Sequence, residues 1–277
     1  MSKMTLMRHT RRSRAAATEL EDALNEELHE QTLGRFVPSG LTLLGLCSGT
    51  TAIRFALSGN WKAAVIAIIV AAVLDTLDGK VARLLGADSK FGAQLDSLAD
   101  LVSFGIAPSV LVYMWTLYHA GGAGWTIALV FCVCCAIRLA RFNIETVEAE
   151  DQEAANAHFT GVPTPAAACM ILLTMLLSFQ YDKSTLLANP ILNGAIVATV
   201  SLLMVSRLPT LSLKNFHLPR RLRILAVLAA AGVLTLAVLW PWATLSGVLI
   251  AYILTLPLGA RPRSERRRFW HPQPPSH

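Results

Sequence analysis

The sequence predicts an all-α, polytopic membrane protein: a bundle of about eight transmembrane helices with both termini in the cytoplasm. Three observations carry that expectation. The 277 residues are 54% hydrophobic and only 15% charged, whereas soluble domains carry about 25% charged residues. Mean hydropathy is +0.51. The charge is also uneven, sitting at both ends and in short islands between apolar runs. Those runs approach the roughly 20 residues a helix needs to cross a bilayer. Disordered, disulfide-rich and ordinary globular classes are excluded.

Residues 1–36 read as a cytoplasmic polar arm. Leu20, Leu24 and Leu28 recur every four residues among acidic neighbours, which predicts an amphipathic surface helix over 15–33. The arm is too long and too acidic for a cleavable signal peptide. Residues 37–260 form the transmembrane domain, with spans expected near 38–58, 62–84, 92–118, 124–142, 163–180, 189–206, 222–239 and 242–259. Residues 261–277 are an Arg/Pro-rich tail expected to be disordered. No internal repeat and no separate soluble domain is visible.

The turns fit these spans. Gly86-Ala87-Asp88-Ser89 supplies a helix stop followed by a new N-cap. Gly121-Gly122-Ala123-Gly124 reads as a breaker between the third and fourth spans, and Trp240-Pro241-Trp242 joins the last two at an interface. With the N-terminus inside, only Arg54, Lys62 and Lys183 of the 24 basic residues fall on the outer side. The positive-inside rule and an even span count therefore agree. The net charge of +6 is read as juxtamembrane charge facing anionic lipid, not as a nucleic-acid patch. Cys47, Cys132, Cys134, Cys135 and Cys169 lie inside apolar runs without paired CxxC spacing, so they read as packing residues.

Acidic residues are nearly absent from the spans, except for Asp75, Asp78, Asp96 and Asp100 in the second and third. Each would cost about 2.5–3.5 kcal/mol at a helix centre, and four together roughly 10 kcal/mol if dry and unpaired. Nearby Lys and Arg do not balance them one for one, so a divalent cation in a wet cavity is the expected compensation. Asp75, Asp78, Gly79 and Ala82 follow i, i+3, i+4, i+7 and share one helix face; Gly92, Asp96 and Asp100 follow i, i+4, i+8 on the next helix. A short turn makes the two helices antiparallel neighbours, so the carboxylate pairs can face each other. Hard oxygen ligands suit Mg²⁺ or Mn²⁺, and two ions about 3.5–4 Å apart would clamp phosphoryl oxygens. A proton or cation pathway in a transporter is the reading from another class.

The full string is Asp75-x2-Asp78-Gly79-x2-Ala82-Arg83-x8-Gly92-x3-Asp96-x3-Asp100. It resembles the signature of the CDP-alcohol phosphatidyltransferase family at every fixed position. The resemblance implies that Asp75, Asp78 and Asp96 are metal ligands and that Asp100 is both ligand and general base. It further implies that Gly79, Ala82 and Gly92 let the CDP moiety approach, with Arg83 near its phosphates. Three further stretches resemble the phosphatidylserine synthase branch: residues 96–108, 136–143 and 159–165. The match is close from about 37 to 170 and loose over the last four spans.

That branch implies transfer of a phosphatidyl group from CDP-diacylglycerol to the hydroxyl of L-serine, releasing CMP, at a site facing the cytoplasm. It also implies a homodimer. Glycerol-3-phosphate and choline are the rival acceptors, and choline would favour an aromatic cage. Arg138 and Arg141, three apart on the fourth span, share a face and suit a carboxylate or phosphate, either the serine carboxylate or a donor phosphate. His158, beside Phe159, is read as a loop residue. No Ser/His pair or histidine repeat suggests a covalent intermediate, so a single in-line displacement is expected.

Overall fold

The computed structural model describes residues 37–86, 89–151, 162–181, 184–206 and 220–259. The expected amphipathic helix over 15–33, the C-terminal tail and His158 lie outside these residues. Among the described residues every regular element is helical and none is a strand.

Helix α1 (Val37–Leu57) ends at Gly59, whose φ of 71° needs a residue without Cβ. Asn60 then caps α2 (Trp61–Leu85), its side chain accepting from the Ala63 amide. Gly86 closes α2 in the left-handed conformation, with φ 58° and its N–H donated to the Ala82 carbonyl. Ser89 opens α3 (Lys90–Asp100), its Oγ accepting from the Gly92 amide at 3.0 Å. The expected stop and restart thus stand at Gly86 and Ser89.

Helix α3 continues through a π-helical turn, Leu101–Ile106, into α4 (Ala107–Trp115). A 3₁₀ turn over Leu117–Ala120 leads to α5 (Gly121–Asp151). There follow α6 (Thr164–Ile171), α7 (Leu173–Ser178), α8 (Ser184–Leu187), α9 (Pro190–Val205), α10 (Arg220–Leu239) and α11 (Pro241–Gly259). Each of the eight expected stretches is helical. Three helical runs, Val37–Leu57, Phe91–Trp115 and Leu117–Glu145, are long and apolar enough to cross a membrane. Pro190–Val205 and Pro241–Thr255 are apolar but shorter.

Three expectations need correction. Of Gly121-Gly122-Ala123-Gly124 only the first residue breaks the chain: Gly121, at φ 59° and ψ −135°, separates the 3₁₀ turn from α5, and the other three lie inside that helix. Gly124 serves close packing instead: a Cβ there would overlap the Leu117 carbonyl. The helix that carries the fourth expected span does not end with it near 142: α5 runs on to Asp151 through residues that include neither Gly nor Pro. At 1.5 Å per residue its 31 residues extend about 46 Å, so Arg138 and Arg141 sit within the helix and not at its end. The fifth span is interrupted at Leu172, whose amide is shared between the Ala168 and Cys169 carbonyls at 3.3 and 3.2 Å.

The core gathers Phe104, Leu111, Phe131, Met175, Leu176 and Met204 from the π turn, α4, α5, α7 and α9. Asn193 is buried within it at 1% exposure and fully satisfied: its amide donates to the Leu187 and Asn189 carbonyls, and its oxygen accepts from Thr174 Oγ1. A buried amide so placed in an apolar bundle specifies the pairing of α7 and α9. Helix α1 reaches the core through Gly45 and Gly49, spaced four apart as small residues are where membrane helices touch closely. Ser103 Oγ donates to the Gly45 carbonyl at 3.3 Å, and a Cβ on Gly49 would overlap Ser103 itself.

That contact sets how deeply α1 seats against the π turn. Gly49→Val should destabilise the detergent-solubilised protein by about 1–3 kcal/mol, the usual cost of overpacking. Gly40→Ala, where a Cβ meets nothing within 4 Å, should not destabilise it. Thermal unfolding of the two variants checks this.

Candidate metal and active site

The residues nearest the α2–α3 turn decide the chemistry. Asp75 and Asp78 lie in the second half of α2, and Asp96 and Asp100 in the second half of α3. With α2 capped at Gly86 and α3 opening at Ser89, the two carboxylate pairs come together, as the helical spacing allows. One oxygen each from Asp75, Asp78 and Asp96 lies within 4.8 Å of the others. Asp100 lines the same hollow and stands within hydrogen-bonding reach of Asp75. Asp78 is 5% exposed, and the other three are half-buried.

Like charges this close repel strongly, since two unit charges 4 Å apart interact by about 4 kcal/mol at an effective dielectric of about 20. Such a set persists when a cation sits among the oxygens. The donor atoms are all hard carboxylate oxygens, the ligand type that Mg²⁺ and Mn²⁺ take. Asp75, Asp78, Asp96 and Asp100 therefore fit a divalent metal.

The signature's small residues share the helix faces that carry the carboxylates. A Cβ on Gly79 would meet only Arg83 Nη2, at 3.9 Å, and one on Gly92 only Ser89 Oγ, at 3.0 Å. Ala82 is half-exposed. Arg83 donates from Nε to the Gly79 carbonyl at 2.9 Å, and its side chain is exposed.

The two arginines of α5 part company. Arg138 Nη1 donates to Thr164 Oγ1 at the start of α6, and Arg138 Nε is buried without a hydrogen-bond partner. Arg141 Nη1 instead donates to the Val205 carbonyl at 3.1 Å, capping the last turn of α9. A cation there also complements the helix dipole. The shared face read from their spacing thus conceals two environments.

Two features of the site escaped the sequence. Thr42 of α1 donates from Oγ1 to Asp78 Oδ2 at 2.8 Å inside the hollow, with the Pro38 carbonyl a second acceptor at 3.1 Å. An isolated Thr in an apolar run carries no signal, although its place one turn before Gly45 would have suggested it once the close approach was known. The second feature is the π turn directly after Asp100, which brings Ser103 and Phe104 into the lining. Single π turns inside α-helices gather at functional sites.

A family model for CDP-alcohol phosphatidyltransferase matches residues 35–257. The CDP-diacylglycerol–serine O-phosphatidyltransferase of Mycobacterium tuberculosis is 36% identical over 244 residues, covering 86% of this chain and 82% of that protein. The protein of the same name from Bacillus subtilis is 37% identical over 174 residues, 62% of this chain and 88% of its own. That from Helicobacter pylori is 40% identical over 144 residues, covering 52% and 59%.

Thr42 should matter through Asp78. Removing the outer partner of a metal ligand costs about 10–100-fold in metal affinity or activity. Thr42→Val is expected to raise the Mn²⁺ concentration for half-maximal activity within that range, and Thr42→Ser to stay near wild type. A metal titration of both variants reads the difference.

Proposed function

The chain belongs to the CDP-alcohol phosphatidyltransferase family, and from that premise we propose that it transfers the phosphatidyl group of CDP-diacylglycerol to the hydroxyl of L-serine. The products are phosphatidylserine and CMP. The convergence of four signature carboxylates in one hollow carries this reading, and the names of its relatives support serine as acceptor.

Asp75, Asp78, Asp96 and Asp100 would hold one or two Mg²⁺ or Mn²⁺ ions, which when bound supply Lewis-acid neutralisation of pyrophosphate charge. The serine oxygen attacks the phosphorus that carries the diacylglycerol, forming the new P–O bond as the bond to the CMP oxygen breaks in line. Asp100, at the innermost turn of α3, takes the hydroxyl proton as general base. The small residues Gly79, Ala82 and Gly92 let the nucleotide approach, with Arg83 near its phosphates. Arg138 receives the serine carboxylate: its unpartnered Nε and its planar fork suit a two-oxygen anion. Arg141, although only one turn away, acts chiefly by capping α9.

The finer topology belongs to the same proposal. Eight spans with both termini inside put the α2–α3 turn, and so the active site, on the cytoplasmic side, where Lys80, Arg83 and Lys90 lie. Residues 1–36 are then a cytoplasmic arm, 37–260 the membrane domain and 261–277 a basic tail. A homodimer follows from the family resemblance, and anionic lipids are the natural neighbours of the basic segments.

An acceptor panel tests the reaction: purified protein, CDP-diacylglycerol, Mn²⁺ and each of L-serine, glycerol-3-phosphate and choline, with CMP release measured. Serine alone should support turnover, and a chelator should abolish it. CMP release with another acceptor and not with serine would overturn the assignment. Arg138→Ala should raise the serine KM about 10- to 100-fold, the loss of a hydrogen bond to a charged group. Arg141→Ala should leave that KM unchanged and lower thermal stability.

A further inference from the structure

The segment 136–143 places Arg138 and Arg141, but its last residue, Asn143, has no part in the reaction as described. Asn143 lies on α5, and its side chain meets Ser97 of α3. Asn143 Nδ2 donates to Ser97 Oγ at 2.9 Å, and the Ser97 hydroxyl lies 3.1 Å from Asn143 Oδ1. Ser97 stands between Asp96 and Asp100, turned roughly 100° from the first and 60° from the second about the helix axis.

The surroundings of α3 explain why such a tie matters. Of its eleven residues, only Ala99 is buried among those whose side chains are described; Phe91, Ala93, Gln94 and Leu98 are exposed. The firmly packed half of this span is α4, and the π turn Leu101–Ile106 separates the two. The π turn keeps α3 continuous with α4 but offsets its register, so the direction in which Asp96 and Asp100 point depends on contacts along α3 as well as on α4. The bond from Asn143 is one such contact. Its loss would let α3 turn or tilt, carrying Asp96 and Asp100 away from Asp75 and Asp78.

We propose that Asn143 is a positioning residue, strapping α3 to α5 through Ser97 so that Asp96 and Asp100 face the carboxylates of α2. The proposal rests on the metal reading of those carboxylates. The strap is dispensable for folding: without Asn143, Ser97 Oγ keeps the Ala93 carbonyl at 3.0 Å, and without Ser97 the half-exposed Asn143 can turn to water.

The test is direct Mn²⁺ binding to purified protein, followed by water-proton relaxation and read beside kcat and thermal stability. Ser97→Ala and Asn143→Ala should each raise the Mn²⁺ half-saturation on the order of 10-fold, the lower end of what loss of an outer partner costs, with kcat falling in parallel. The exchanged pair, Ser97→Asn with Asn143→Ser, should recover most of the binding. Lowered thermal stability with unchanged Mn²⁺ half-saturation in both single variants would overturn the strap and leave the metal site standing. Absence of Mn²⁺ binding by the wild-type protein would instead overturn the metal reading beneath it.

Discussion

Four carboxylates that repel one another, set in helices that otherwise bury apolar side chains, are the constraint on which the structure turns. Asp75, Asp78, Asp96 and Asp100 meet in one hollow, and each is costly within a bilayer. The elements around them hold the arrangement together. Gly86 ends α2 and Ser89 opens α3, and Gly45 and Gly49 let α1 close against the π turn. Thr42 then reaches Asp78 from the third side. Each contact is modest, but together they bring the acidic groups into the geometry that a hard cation can use.

The polar groups of α5 divide the remaining work within two turns of helix. Arg138 bonds to Thr164 of α6, with one buried nitrogen unpartnered. Arg141 ties down the end of α9. Asn143 meets Ser97 on α3. Within two turns α5 thus touches three neighbours from different sides of the helix.

Much of the site was legible because its signals are local. Three- and four-residue spacing puts two aspartates on one face of each helix, and a Gly followed by a Ser marks where one helix stops and the next begins. The helical character of every apolar stretch followed from hydropathy. What escaped depends on contacts between distant segments. Gly124 looked like a breaker because glycine disfavours helices, yet Leu117 packs so closely that only glycine fits. The end of α5 was misplaced because hydropathy marks where apolar sequence stops, not where a helix does. The π turn after Asp100, the bond from Thr42 and the different partners of Arg138 and Arg141 leave no periodic trace.

The central claim is that the four aspartates form one cation site. Mn²⁺ electron paramagnetic resonance on the purified, detergent-solubilised protein tests it most directly. The account predicts tightly bound Mn²⁺, with the exchange coupling of two ions about 3.5–4 Å apart when both positions fill. The signal should vanish in Asp78→Asn while that protein still inserts and extracts normally. Wild-type protein that binds no more Mn²⁺ than Asp78→Asn would contradict it.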